Sequence, residues 1–451
     1  MFHRNSPPRV VPGKVAYVNA RLMDPASGLD VVCGTDGGLL TDGETISAYG
    51  PGIFASGLPE GCTQIDCGGA ILAPGLVDMR MQLREPGEAH KESVKSAGKA
   101  AVAGGITAMV TLPNTTPALD DEATIEFIAR RARQIGLAKV YCYATTTKGA
   151  KGKELSEMGM LSRAGAVAFT DGDHAVADVQ TMRRALQYAA TFGALIIQHP
   201  EEPGLAGGVM NSGDIATRLG LSGIPREAEI IMLERDMRLV EMTGGRYHAA
   251  HISTSESVEI IRRAKAKGLD VTCDTAPPYF ALNELAVGDY RTFSKLSPPL
   301  RAESDRQAII AGLVDGTIDA IASDHAPQDS DAKRLPFAQA AFGGIGLETL
   351  LPVTLELVHN GLLDLMTALR LLTSGPADLL ALSDHHGQRS GRLAVGGAAD
   401  LVVFDLEKPW KFVADKSLSK SKNSPFDGRL LQGRTLRTVV DGRTVYGEGA
   451  A

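Results

Sequence analysis

The chain has 451 residues, 44% of them apolar and 22% charged, with a net charge of −7. This is the balance of a globular protein with a sizeable core, and its acidity gives no electrostatic reason to expect nucleic acid. Five scattered cysteines (Cys33, Cys62, Cys67, Cys142, Cys273) form no CxxC pair, which argues against a disulfide framework or a cysteine zinc site. No apolar run is long enough to span a membrane, and the opening Met1-Phe-His-Arg-Asn-Ser-Pro-Pro lacks the apolar core of a signal peptide, so a cytoplasmic location without membrane contact is expected.

From Lys14 to about Ala70, short apolar segments (Val15 to Val18, Thr45 to Ala48) are broken by Gly37-Gly38, Asp42-Gly43 and Gly50-Pro51-Gly52. That spacing predicts small β-strands with tight turns. The other end repeats it in Gly391 to Asp405 and Leu436 to Tyr446, with Asp441-Gly442 as a hairpin turn. Residues 1–70 and 388–451 are therefore expected to build one small β-sandwich satellite from both chain ends.

Between them, residues 71–387 alternate apolar runs with stretches of helical spacing, the pattern of a parallel sheet closed by crossover helices. Eight runs are strand candidates: Ile71 to Met81, Ile106 to Pro113, Lys139 to Ala144, Ala166 to Phe169, Ala194 to Gln198, Tyr247 to Ile252, Val271 to Asp274 and Ile318 to Ser323. Asp120-Asp121 reads as a helix N-cap region, and Val179 to Phe192 and Arg226 to Thr243 read as helices. An α/β fold with a (β/α)8 barrel is the simplest architecture. Such barrels carry their reactive groups at the C-terminal ends of the strands. Asn114, Asp171 with Asp173, His199, His251, Asp274 and Asp324 each follow an apolar run directly.

One stretch, Ala73-Pro-Gly-Leu-Val-Asp-Met-Arg-Met-Gln-Leu-Arg-Glu-Pro-Gly87, turns abruptly from apolar to polar before breaking at Pro86-Gly87. It resembles the first barrel strand of the dihydroorotases, cyclic amidohydrolases of pyrimidine synthesis in the metal-dependent amidohydrolase superfamily. Leu112-Pro-Asn-Thr-Thr-Pro117, Phe169-Thr-Asp-Gly172, Gln198-His-Pro-Glu-Glu202, His251-Ile-Ser-Thr254, Ser323-Asp-His-Ala-Pro327 and Lys422-Asn-Ser-Pro-Phe426 continue the likeness in family order.

The resemblance implies a set of roles. His199 and His251 fall where the family holds one zinc with two imidazoles. Asp324 falls where a carboxylate takes the proton from the attacking water, and Asp171 lies near the bridging carboxylate. Arg84 and Asn114 fall where the substrate carboxylate is held. A zinc ion would lower the pKa of its bound water toward about 7, supplying hydroxide for attack on a ring amide.

The departures from the family are as specific. The two histidines expected on the first strand are Arg80 and Gln82. A guanidinium keeps its proton and cannot ligate a cation, and glutamine is a weak neutral oxygen donor. The family's Asp-Asp-Gly reads Asp171-Gly172-Asp173, so the ligand carboxylate is Asp171 or Asp173. At most one zinc site can then remain, with possibilities down to none.

Two readings follow. In the preferred one, Arg80 fills the vacated metal position, and the chain keeps the shape but not the reaction. It then resembles the non-catalytic dihydroorotase-like partners of aspartate carbamoyltransferase. In the alternative, a single zinc on His199, His251 and one carboxylate interconverts N-carbamoyl-L-aspartate and dihydroorotate. A hydantoinase- or allantoinase-type enzyme would share the barrel, but Leu83-Arg84-Glu85-Pro86-Gly87 and Pro113-Asn114-Thr115 fit dihydroorotase better. Either way a homo-oligomer or hetero-complex is expected. Lys148 and Lys295 read as exposed lysines, His248 as a core residue or one supporting the site from behind, and His385-His386 as a solvated loop.

Overall fold

The computed structural model describes residues 13–450, so the opening stretch read for a leader lies outside them. Eight parallel strands form the central ring: Leu76–Met81 (β1), Ile106–Thr111 (β2), Lys139–Ala144 (β3), Ala166–Phe169 (β4), Leu195–Gln198 (β5), Arg246–Ala249 (β6), Val271–Thr275 (β7) and Ala320–Ile321 (β8). They pair in chain order, and the ring closes through a bridge between Met81, the last residue of β1, and His325 beyond β8. Helices cross between strands, among them Val94–Ala103 (α1), Glu122–Ile135 (α2), Met158–Ala164 (α3), Val179–Ala190 (α4), Glu227–Thr243 (α5), Ser255–Ala266 (α6), Glu303–Val314 (α7) and Leu365–Leu372 (α8). The expected (β/α)8 barrel is present.

Side-chain alternation sorts the strands' apolar residues into two layers. Val110, Tyr143, Ile197 and Ala320 meet one another in one cluster. Their neighbours Met109, Cys142, Ile196 and Ile321 belong to a second, with Leu186, Leu233, Ile261 and Leu313 of the helices. The helices start where the sequence marks them. Asp121 caps α2 by accepting from the Thr124 amide at 2.9 Å, and Ser93 and Ser96 form a reciprocal capping box on α1.

The expected single run Ile71 to Met81 is divided between two sheets. Ile71–Pro74 pairs with Leu401–Lys411 in a six-stranded sheet, Gly75 turns the chain, and β1 then enters the barrel. A Cβ at Gly75 would stand 2.1 Å from the Thr107 side chain of β2. The six-stranded sheet faces a four-stranded one of Val15–Val18, Gly38–Asp42, Thr45–Gly50 and Thr63–Asp66. Tyr17, Leu39 and Ile46 from one sheet share a core with Leu22, Leu72, Leu401 and Val439 from the other. The Asp441-Gly442 hairpin joins Leu430–Val440 to Arg443–Tyr446, both turn residues having positive φ (47° and 70°) as a primed turn requires. Among the described residues, no helix is long and apolar enough to cross a membrane.

Candidate active site at the barrel mouth

The C-terminal strand ends surround a cavity of about 310 Å³, lined among others by Gln82, Arg84, Asp173, Glu201 and Asp324. Arg80, on β1, is 1% exposed and is one of the largest fully buried side chains of the described chain. Its Nε donates to Asp324 Oδ1 at 3.1 Å, and its Nη2 to Asp173 Oδ1 at 3.4 Å. Gln82, just past the end of β1, donates from Nε2 to Asp173 Oδ2 at 2.7 Å. The two departures from the family motif therefore converge on one carboxylate.

Backbone geometry aims the facing groups. His251 (φ 38°), Asp324 (φ 49°) and Arg84 (φ 59°) all adopt the left-handed region, which costs a non-glycine residue about 1–3 kcal/mol and recurs at functional sites. His199 Nδ1 stands 2.8 Å from His251 Nε2, His251 Nδ1 stands 3.1 Å from Asp324 Oδ2, and His199 Nε2 stands 3.3 Å from Glu201 Oε2. Asp274 accepts from the His251 amide and holds His248 Nε2 at 3.1 Å, which makes His248 a buttress of the same loop. The Tyr279 hydroxyl donates to the Pro298 carbonyl at 3.1 Å and stands 3.4 Å from Asp324 Oδ2.

Opposing effects set the ionisation of these groups. Burial opposes ionisation of Asp324, yet His251 and Arg80 hold its carboxyl well below the usual range. Burial, and then the Arg80 charge, keep His251 below an ordinary histidine. Burial likewise works against Glu201, but His199 holds it down as a carboxylate. With a neutral His251 donating from Nδ1 to Asp324 Oδ2, its Nε2 is left to accept from His199 Nδ1.

The other residues singled out in the sequence divide. The Asp171 carboxylate is not brought into the cluster: it accepts from the Thr147 amide at 2.9 Å and from the Thr147 hydroxyl. Asp173 is the carboxylate that faces Arg80. Arg84 lines the cavity, with Nε on the Pro327 carbonyl and Nη1 on Glu88. Asn114 lies outside the cavity lining, its Nδ2 3.4 Å from the Asp171 carbonyl. Lys295 is not exposed as expected but 3% exposed, donating to the Phe337 and Ala338 carbonyls beneath the Phe342 ring. Lys148 is the surface lysine it was read to be, paired with Glu154. Glu201 was missed. Glu201 stands two residues past His199, a spacing that could have suggested it.

These donors do not fit the pair of zinc ions that the resemblance to dihydroorotases implies. Arg80 places a fixed positive charge among the carboxylates, and a guanidinium repels a cation instead of ligating it. A catalytic zinc needs three protein ligands with one position open. His199 and His251 offer two nitrogens, while the carboxylates beside them, Asp324 and Asp173, both face the Arg80 guanidinium.

Comparison with known proteins agrees with the fold and the motifs. Residues 69–257 match the model of the Dihydro-orotase-like family, and residues 242–446 that of an Amidohydrolase family. The dihydroorotase of Anaplasma phagocytophilum (strain HZ) is 46% identical over 436 residues, covering 96% of this chain and 95% of that one. The dihydroorotase of Syntrophotalea carbinolica (strain DSM 2380 / NBRC 103641 / GraBd1) is 45% identical over 434 residues, covering 96% and 99%. Among solved structures, the L-hydantoinase (dihydropyrimidinase) from Arthrobacter aurescens superposes with a TM-score of 0.83 at 25% identity, covering 97% of this chain and 96% of that one. Dihydropyrimidinase from Brevibacillus agri NCHU1002 follows the same fold, with a TM-score of 0.80 at 20% identity over 97% and 96% of the two chains.

Proposed function

We propose a function from one premise: this chain belongs to the dihydroorotase-like family of the amidohydrolase superfamily. The reading is a dihydroorotase-like protein of pyrimidine synthesis in which the Arg80 guanidinium takes the place of the metal, so that the barrel is kept and hydrolysis is impaired or lost. The observation that carries it is the buried Arg80, bonded to both Asp324 and Asp173. Without a cation, like-charge repulsion would raise one of these carboxyls; one arginine relieves it. Asp324, the group expected to accept and return a proton, is instead held ionised by two hydrogen-bond donors and has little affinity for a proton.

In this reading the chain serves as a structural partner of aspartate carbamoyltransferase in the cytoplasm. The test is direct. Purified protein supplied with zinc is expected to show no interconversion of dihydroorotate and N-carbamoyl-L-aspartate, and to co-sediment with aspartate carbamoyltransferase at micromolar concentration. Turnover would overturn the first half, and failure to associate the second.

A second reading, an active dihydroorotase with one zinc, is favoured by a different observation. His199 Nδ1 and His251 Nε2 already face one another at 2.8 Å. Two imidazoles on a tetrahedral zinc stand about 3.3 Å apart, given Zn–N bonds of about 2.0–2.1 Å. Parting the rings by about 0.5 Å would suffice, but Arg80 would also have to release Asp173 or Asp324. The names of the similar dihydroorotases are compatible with either reading.

A further inference from the structure

The pair His385-His386 lies far from the barrel mouth in sequence and in role. It belongs to the turn between Ser383 and Arg389, whose ends pair in an isolated bridge. The Asp384 carboxylate shapes that turn, accepting from the backbone amides of His386 (2.9 Å), Gln388 (2.9 Å) and Ala398 (2.7 Å). Both imidazoles consequently lean the same way, with ring centroids 4.0 Å apart and planes 42° apart.

Across from them stands Glu44, in the hairpin turn that follows Asp42-Gly43. Its Oε2 lies 3.2 Å from His385 Nε2, although 341 residues separate the two. The backbone around Glu44 is held as firmly as the histidine turn. The Ala399 amide donates to the Glu44 carbonyl at 2.8 Å, the Ile46 amide donates to Gly397 at 2.9 Å, and Thr45 bridges Ala398. One donor atom from each of Glu44, His385 and His386 lies within 4.8 Å of the other two. Glu44 and His385 also line a cavity of about 540 Å³.

We propose that Glu44, His385 and His386 form a surface site for a divalent transition-metal ion, independent of the barrel mouth, which clamps the satellite's hairpin to the turn that follows the barrel. Two neutral imidazoles and one carboxylate suit a borderline ion, with zinc the best match, and three protein ligands leave a fourth position for water. Hard ions such as magnesium prefer all-oxygen sets and are excluded by the two nitrogens. The two segments are already held in place by backbone bonds, so binding needs only side-chain rotation. Asp441 Oδ1, 3.8 Å from His385 Nδ1, is paired with Lys139 at 2.7 Å and adds little net charge beside the site.

The test uses the full chain, stripped with a chelator and titrated with zinc chloride by calorimetry. Wild type is expected to bind one equivalent with the same affinity as the double variant His199→Ala/His251→Ala. Glu44→Gln and His385→Ala/His386→Ala are expected to weaken that equivalent at least about tenfold, since even supporting residues around a metal commonly matter by 10–100-fold. Zinc should raise the melting temperature of wild type and leave that of His385→Ala/His386→Ala unchanged. An isotherm unaltered by either set of changes at Glu44, His385 and His386, or no zinc bound by wild type, would overturn the proposal. Loss of the equivalent in the His199→Ala/His251→Ala variant alone would assign the ion to the barrel mouth and overturn it equally.

Discussion

At the scale of single residues, Arg80 is the position on which the barrel mouth depends. Replacing it by methionine leaves Asp324, its side chain 16% exposed, beside His251 without its guanidinium, and breaking a fully buried pair by removing one partner costs about 3–5 kcal/mol, an upper bound for this pair. Asp173, whose side chain is 42% exposed, can turn to water and adds little to that loss. Arg80→Met is therefore expected to unfold at markedly lower urea concentration than wild type with an unchanged slope, and an unchanged midpoint would show that the pair contributes nothing. Restoring the family's histidines in Arg80→His/Gln82→His is expected not to produce dihydroorotate turnover. Asp171 stays tied to Thr147, and residue 172, where the family carries its second aspartate, is a glycine with φ 72° whose Cβ would stand 1.7 Å from Asn114 Oδ1. Turnover by the double variant in a coupled assay would contradict this. The losses at Arg80 and Gln82 could be read from sequence because the motif around them is fixed. The choice between Asp171 and Asp173 could not, since it depends on which loop amides each carboxylate meets. The pairing of Glu44 with His385 was illegible for the same reason: no local pattern marks a contact made by the meeting of two distant turns.

At the scale of elements, strand and helix positions were largely legible because period-2 alternation, caps and turns are local. The missed detail was the break at Gly75, where an unbroken apolar run hides the transfer from one sheet to another. Gly75→Ala drives a methyl into Thr107, and overpacking of that kind costs about 1–3 kcal/mol. A reduced denaturation midpoint is expected, and wild-type stability would mean that the junction yields. The buried lysines beside the mouth offer a test by pH. Lys333 donates to the carbonyls of Thr292 (2.9 Å), Lys295 (3.3 Å) and Ala341 (2.7 Å), while burial and then the charge of Lys295 push it down to about 7. A lysine depressed in the folded state binds fewer protons there than in the unfolded chain between about pH 7 and about pH 10.4, so its contribution to stability is full above that window and is lost as pH falls through it. Stability should rise across this range in wild type more steeply than in Lys333→Met, as urea midpoints at several pH values would reveal; parallel profiles would contradict it. Neither lysine's burial was apparent in the sequence, because only the loop that closes over them supplies their carbonyl partners.

At the scale of the whole molecule, the two chain ends close one sandwich while the middle closes one ring. Asp78 helps to join the ring's first and last strands, accepting from the Ser323 amide at 2.8 Å, and burial pushes its carboxyl up to about 6. The ring brings His199, His251, Asp324 and Arg80 from four separate strand ends to one point, where the reading proposed above has Arg80 take the place of the metal. That substitution is tested most directly by a zinc-edge anomalous difference map from crystals grown with zinc chloride. The expected map has no peak between His199 and His251, and shows the Arg80 guanidinium on Asp324. A zinc peak at the barrel mouth, with Arg80 turned away from Asp324, would contradict it.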